Sequence, residues 1–194
     1  MFKKTLATAT LLTVLAVTGC SAANNTPAAN TSAPSQAAGT TASNDPQDIA
    51  PGKYPNKITN SSTTPGLDIV SAIVENNVAP GTNTPVSDHI ELQIKNTGTT
   101  DMTGFQMFYT VTDTVTGATE SYFKDLTGYT LAKGATATLN FDNSTGPGHF
   151  GLNTNGIYYK STNKLDFHIE LSATNHKPAT IDVSKAAGGA EKKD

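Results

Sequence analysis

The chain has 194 residues, with 13 basic side chains against 16 acidic ones and a formal net charge of −3. Every basic residue is lysine, mostly placed singly, so the forked Arg contacts and cation clusters of nucleic-acid binding are missing and that partner is discounted. A single cysteine leaves no disulfide within the chain, so stability has to come from an apolar core.

The first stretch, MFKKTLATATLLTVLAVTGC, has three zones. Lys3 and Lys4 are basic, Thr5 to Thr18 is uncharged and rich in Leu and Val, and a small-residue pair precedes Cys20. The apolar run is shorter than the roughly 20 residues a membrane-spanning helix needs, and it suits the central region of a secretory signal peptide. Val17-Thr18-Gly19-Cys20 resembles the bacterial lipobox. That resemblance implies cleavage before Cys20, a diacylglycerol on its sulfur, and a protein held by acyl chains on the extracytoplasmic face of a cell membrane. A catalytic thiol would instead need a shaped, electropositive pocket, which the polar sequence after Cys20 does not supply. Two acyl chains, at about 0.8 kcal/mol per buried CH₂, suffice for stable anchoring.

After the signal peptide (1–19), residues 20–66 are rich in Ser, Thr, Pro, Ala and Asn, and Ser21 to Asn44 carries neither charge nor aromatic ring. Such sequence buries too little to offset its ordering entropy. The expectation is a disordered tether that, at about 45 residues, separates its ends by roughly 35–40 Å. Its Ser/Thr/Pro content would also allow O-glycosylation.

The pattern then changes to alternation. Ile90, Leu92 and Ile94 share one face of DHIELQIKN; Phe105, Met107, Tyr109 and Val111 share one face of GFQMFYTVTD; Leu165, Phe167, Ile169 and Leu171 share one face of KLDFHIELSA. Period-2 alternation marks half-buried antiparallel strands. Weaker strands are expected at 67–74, 119–124, 135–141 and 179–184, separated by turn clusters such as Asn96-Thr97-Gly98, Lys133-Gly134 and Asn175-His176-Lys177-Pro178. No window predicts an amphipathic helix. About seven short strands predict an all-β antiparallel sandwich over 67–184, with 185–194 (KAAGGAEKKD) as a disordered tail.

IELQIKNTGTTDMTGFQMFYTVTDTVTG, followed by LAKGATATLNFD, resembles bacterial immunoglobulin-like modules of the CARDB type. The shared features are a strand ending in Asn-x-Gly, a G-F-x-x-x-Y-x-V strand and an L-x-x-G-x-x-x-x-L-x-F strand. These motifs are structural. The resemblance implies an immunoglobulin-like sandwich and carries over no catalytic residue.

Candidate chemistry is sparse. HIEL occurs at 89–92 and again at 168–171. In an immunoglobulin-like order these segments fall in opposite sheets, so the Ile and Leu residues meet in the core, while His89/Glu91 and His168/Glu170 point to opposite surfaces, too far apart to share a metal ion. His149 and His176 lack ligand-spaced neighbours, and DNSTG at 142–146 lacks the acidic series of a calcium loop. No G-x-S-x-G, S-x-x-K or H-E-x-x-H is present. No catalytic residue, metal or cofactor is assigned, and the chain is not expected to be an enzyme.

The segment 142–164, DNSTGPGHFGLNTNGIYYKSTNK, is longer than the usual connection of about 4–6 residues. With His149, Phe150, Tyr158 and Tyr159 it forms the candidate binding surface, the alternative being that Phe150 and Tyr158 plug the end of the sandwich. A second candidate is Phe108, expected on the outer face of its strand; alone it is an ordinary exposed aromatic, whereas a cluster with His168 and Tyr122 on the same sheet would mark a site. The expected function is a membrane-anchored binding or assembly module of the envelope, with an envelope protein or glycan as partner. The alternatives are a carbohydrate-binding accessory domain or cryptic hydrolase, and a structural spacer without ligand.

Overall fold

The computed structural model describes residues 53–78 and 85–188, apart from the side chains of 75–78 and 85–88. Cys20, the segments expected to be a signal peptide and a tether up to residue 52, and the end of the expected tail from residue 189 lie outside the described residues. Among the described residues no helix is long and apolar enough to cross a membrane.

The strands are β1 (Leu67–Val78), β2 (Pro85–Asn96), β3 (Gln106–Asp113), β4 (Thr119–Asp125), β5 (Thr136–Phe141), β6 (His149–Phe150), β7 (Leu165–Ser172) and β8 (Ala179–Lys185), with a single helical turn α1 (Ile157–Lys160). They form two four-stranded sheets, in the order β1-β2-β5-β6 and β4-β3-β7-β8. All pairings are antiparallel except β5 with β6. The chain is an all-β sandwich. The grouping of β1, β2 and β5 against β3, β7 and β8 is the A-B-E against C-F-G arrangement of immunoglobulin-like sandwiches, with β4 paired to β3 at the far edge.

The alternating faces meet as expected. Ile90, Leu92 and Ile94 from β2 are fully buried, as are Met107 and Val111 from β3 and Leu165, Ile169 and Leu171 from β7. The two HIEL copies lie in opposite sheets with their Ile and Leu inward. The strand-ending Asn96 is also fully buried. Its Nδ2 donates to the Thr100 and Leu131 carbonyls at 2.9 and 3.0 Å, and its Oδ1 accepts from Gly98 N–H at 2.9 Å. An Asn here, two residues before a Gly, satisfies loop backbone groups that would otherwise be buried without partners.

Three expectations need correction. The first concerns helix, which no window predicts: a single helical turn forms within 142–164, and the same segment adds a two-residue strand. The second concerns Lys185, placed by its sequence in the frayed tail. It ends β8, is only 3% exposed, donates from Nζ to the Ser161 carbonyl at 2.9 Å and stands 5.9 Å from the Tyr158 ring centroid. A cation paired with a carbonyl and an aromatic face tolerates this burial.

The third concerns residues 53–66, which composition assigned to the tether. They lie along the outer face of the second sheet as a strap. Asn56 Nδ2 donates to Glu170 Oε2 at 2.7 Å, and Lys57 Nζ stands 5.7 Å from the Phe123 ring centroid. Asn60 Nδ2 reaches Ser172 Oγ, the Ala173 carbonyl and the His176 carbonyl at 2.8, 2.9 and 2.7 Å. Ser62 Oγ donates to the Asn175 carbonyl, and Lys177 N–H donates to the Thr64 carbonyl. The strap also turns on itself, because Asn56 and Asn60 each accept from the N–H two residues on, at 2.9 Å in both cases. These side-chain caps substitute for a ladder and let a polar segment order without an apolar face.

Candidate functional site

The outer face of the second sheet is built in rows set by the register of β3, β7 and β8. One row is Phe108, Glu170 and Thr180, the next Thr110, His168 and Asp182, and the next Thr112, Asp166 and Ser184. The strap divides this face. It touches Glu170, and Phe123, the cross-strand partner of Phe108 on β4. Phe108 is accordingly buried at 6% exposure, although its parity on β3 places it outward. Phe108, His168 and Tyr122 therefore form no exposed cluster. Phe108 is covered, and Tyr122 points inward, stacked on Tyr109 at 4.9 Å between centroids.

The two rows beyond the strap remain open and line a polar groove of about 550 Å³. His168 Nδ1 lies 2.6 Å from Asp182 Oδ1, with the His168 side chain 53% exposed. Ser184 Oγ donates to Asp166 Oδ1, and Lys164 Nζ pairs with the same oxygen, both at 2.6 Å. Those two donors, Lys164 first, hold the Asp166 carboxyl below its usual range. Thr110 and Thr112 add hydroxyls from β3. The Asp182 carboxylate fixes one ring nitrogen of His168, and Nε2 has no partner among the described residues. A groove of hydroxyls, carboxylates and one oriented imidazole can recognise a polar ligand by hydrogen bonds. The N–H groups of β3 and β7 are committed to ladders on both sides, so those two strands supply no paired donors for an oxyanion. Among the described residues no group of three or more His, Cys, Asp or Glu is placed to hold a metal ion.

The other candidate surface, the excursion over 142–164, is drawn largely into the fold. Phe150 is 6% exposed and packs on Phe141 and Tyr129, with centroids at 5.4 and 6.0 Å. Tyr158 is 2% exposed, lies edge-on to Phe167 at 5.0 Å and donates its hydroxyl to the His89 carbonyl at 2.5 Å. Tyr159 is half-buried against the same cluster. The physical reason is that burying two large rings against the core gains free energy that open solvent cannot match. His149 stays partly exposed, with Nδ1 2.9 Å from Asp142 Oδ2. Burial pushes the Asp142 carboxyl up, but the Ser144 N–H and His149 outweigh it and hold the group below its ordinary range.

Two buried carboxylates secure the excursion, and neither was anticipated from sequence. Glu120 on β4 is 5% exposed and accepts from the Tyr122 hydroxyl and, at 2.7 Å, from Ile157 N–H at the start of α1. Gly156 is required beside it, since a Cβ there would stand 2.1 Å from Tyr122 Oη. Asp113, 4% exposed at the end of β3, accepts from Ser161 Oγ at 2.6 Å, Asn163 Nδ2 at 2.9 Å and the N–H groups of Val115 and Thr116 at 2.9 Å. The Ser161 hydroxyl, the Thr116 N–H and the Asn163 amide, in that order, hold its carboxyl far below the usual range. The one legible signal was Asp113 opening the Asp-Thr-Val-Thr-Gly turn, where an Asp caps its own loop.

No family model matches the chain, and no curated protein resembles it in sequence.

Proposed function

We propose that this chain is a lipid-anchored extracytoplasmic protein that presents an immunoglobulin-like, CARDB-type sandwich as a binding or assembly module of the cell envelope. Val17-Thr18-Gly19-Cys20 after an uncharged apolar run supports the anchor. The observation that carries the binding role is the divided outer face of the second sheet. The strap covers one part of it and leaves open the groove around His168, Asp182, Asp166 and Ser184. Hydrogen bonding dominates recognition there, and the partner is an envelope protein or glycan. The resemblance to CARDB modules rests on strand and turn motifs alone and adds only the expectation of a non-catalytic role.

Two measurements test the reading separately. Cys20→Ala should release the protein from membrane pellets or leave an uncleaved precursor; a variant still cleaved and still partitioning into detergent refutes the anchor. For the groove, glycan and envelope-protein arrays probed with the native chain and with His168→Ala/Asp182→Ala should show a signal that only the double variant loses. A signal unchanged in the double variant removes the groove from the proposal.

A further inference from the structure

Asn155-Gly156 is the only Asn-Gly pair in the chain. Asn155 is exposed in the turn leading into α1, and its N–H donates to Asn153 Oδ1 at 2.8 Å. Its own side-chain amide has no partner among the described residues, and neither does the N–H of Gly156. Five other asparagines are committed. The amides of Asn56, Asn60, Asn96 and Asn163 donate to Glu170, Ala173, Thr100 and Asp113, and Asn143 Oδ1 accepts from Leu152 N–H. Each of these is also followed by a residue with a Cβ, which hinders approach of the next backbone nitrogen; glycine does not.

We propose that Asn155-Gly156 is a spontaneous modification site, at which the chain converts through a cyclic imide to aspartate and isoaspartate. The Gly156 nitrogen attacks Asn155 Cγ, forming the N–Cγ bond. The Cγ–Nδ2 bond breaks, and Nδ2 leaves as ammonia with the proton lost from Gly156 N. Water then opens the imide at either carbonyl, giving a normal Asp or an isoaspartyl linkage. No oxidant, metal or enzyme is involved.

The surroundings make the product consequential. An isoaspartyl linkage lengthens the backbone by one carbon immediately before Gly156, which is wedged against Tyr122 Oη and Glu120 Oε2 so closely that a Cβ would stand 2.1 and 2.8 Å from them. It also adds a negative charge beside the buried Glu120. Conversion therefore loosens the contact of α1 with β4.

The full chain, incubated at mildly alkaline pH and physiological temperature, is followed by peptide mapping and by anion exchange. The expected result is an amide-to-acid mass change at Asn155, with isoaspartate present, and a more acidic fraction that melts at a lower temperature. Asn155→Gln should stay unconverted and keep its melting temperature. Asn155→Asp, which has the charge without the extra backbone carbon, should melt closer to the native chain than the isoaspartyl fraction does. Asn155 persisting in the folded chain while the excised peptide converts would overturn the site. An isoaspartyl fraction with an unchanged melting temperature would overturn the consequence for α1.

Discussion

The strap (53–66) and the excursion (142–164) look alike in sequence, since both lack sustained alternation and are rich in Asn, Ser and Thr. They are held in opposite ways. The excursion sinks two aromatic rings, Phe150 and Tyr158, into the core and ties its ends to Asp142 and Asp113. The strap keeps its side chains on a surface and is held by Asn56, Asn60 and Ser62 through amide and hydroxyl hydrogen bonds. Apolar burial makes the excursion part of the core, whereas solvent-competed hydrogen bonds leave the strap with a smaller net hold.

Tyr158→Ala should break this contrast most sharply. If the ring is a plug, stability falls by about 3–5 kcal/mol, the usual cost of deleting a buried aromatic side chain, while half-buried Tyr159→Ala costs much less. A thermal or urea melt of both variants checks it. A loss of ligand binding with an unchanged melt would return the excursion to the role of a contact surface. Gly156→Ala comes next, at about 2–3 kcal/mol, because its methyl group must displace Tyr122 or the helical turn.

For the strap, Asn60→Ala should cost about 2 kcal/mol, since it strips three acceptors of their donor. Limited proteolysis should accordingly leave a native core beginning near residue 53, moving toward residue 66 in the variant. Cleavage at the same place in both chains would show that Asn60 does not hold the strap.

Acid should separate the two regions by another route. The folded-state carboxyls of Asp113 and Asp142 are depressed, so the stability they contribute is fully present above the ordinary carboxylate pKa. It is lost as pH falls through that range toward their folded values. Asp113→Asn should flatten the acid limb of the melting temperature against pH, and an unaltered limb would place the acid sensitivity elsewhere.

The smallest effect is expected of Tyr129→Phe. The Tyr129 hydroxyl is buried with no hydrogen-bond partner among the described residues, and burial pushes its pKa up to about 12. Removing it should leave stability within about 1 kcal/mol of native or raise it. A large loss would mean that the packing around Phe150 depends on a polar contact.

What the sequence made legible follows from period and parity. The strands of β2, β3 and β7 could be read because alternation places every second side chain on one face, and their apolar faces are indeed the buried ones. Parity also placed Phe108 outward, yet it is not exposed, because cover from a distant segment leaves no trace in a strand's own pattern. The strap was illegible for the same reason: Asn60 acquires its meaning from Ser172, Ala173 and His176, more than a hundred residues away. On β4, Glu120 and Lys124 share the inward face with Tyr122 while Phe123 points outward, a departure from an apolar-in rule. For Glu120 the reason lies in the N–H of Ile157, a partner 37 residues away that the strand's own pattern does not show.

The strap also bears on how the sandwich would meet a mechanical load. A pull on the chain upstream of residue 53 reaches the domain first at Asn56 and then at Asn60, before any strand is strained. The Asn60 amide and the Lys177 to Thr64 bond would rupture in succession, paying out slack chain while the β1–β2 ladder from Leu67 onward stays intact. Bonds of this kind would give way before the ladder and re-form afterwards, so a load applied upstream would be spent on the strap and spare the folded body.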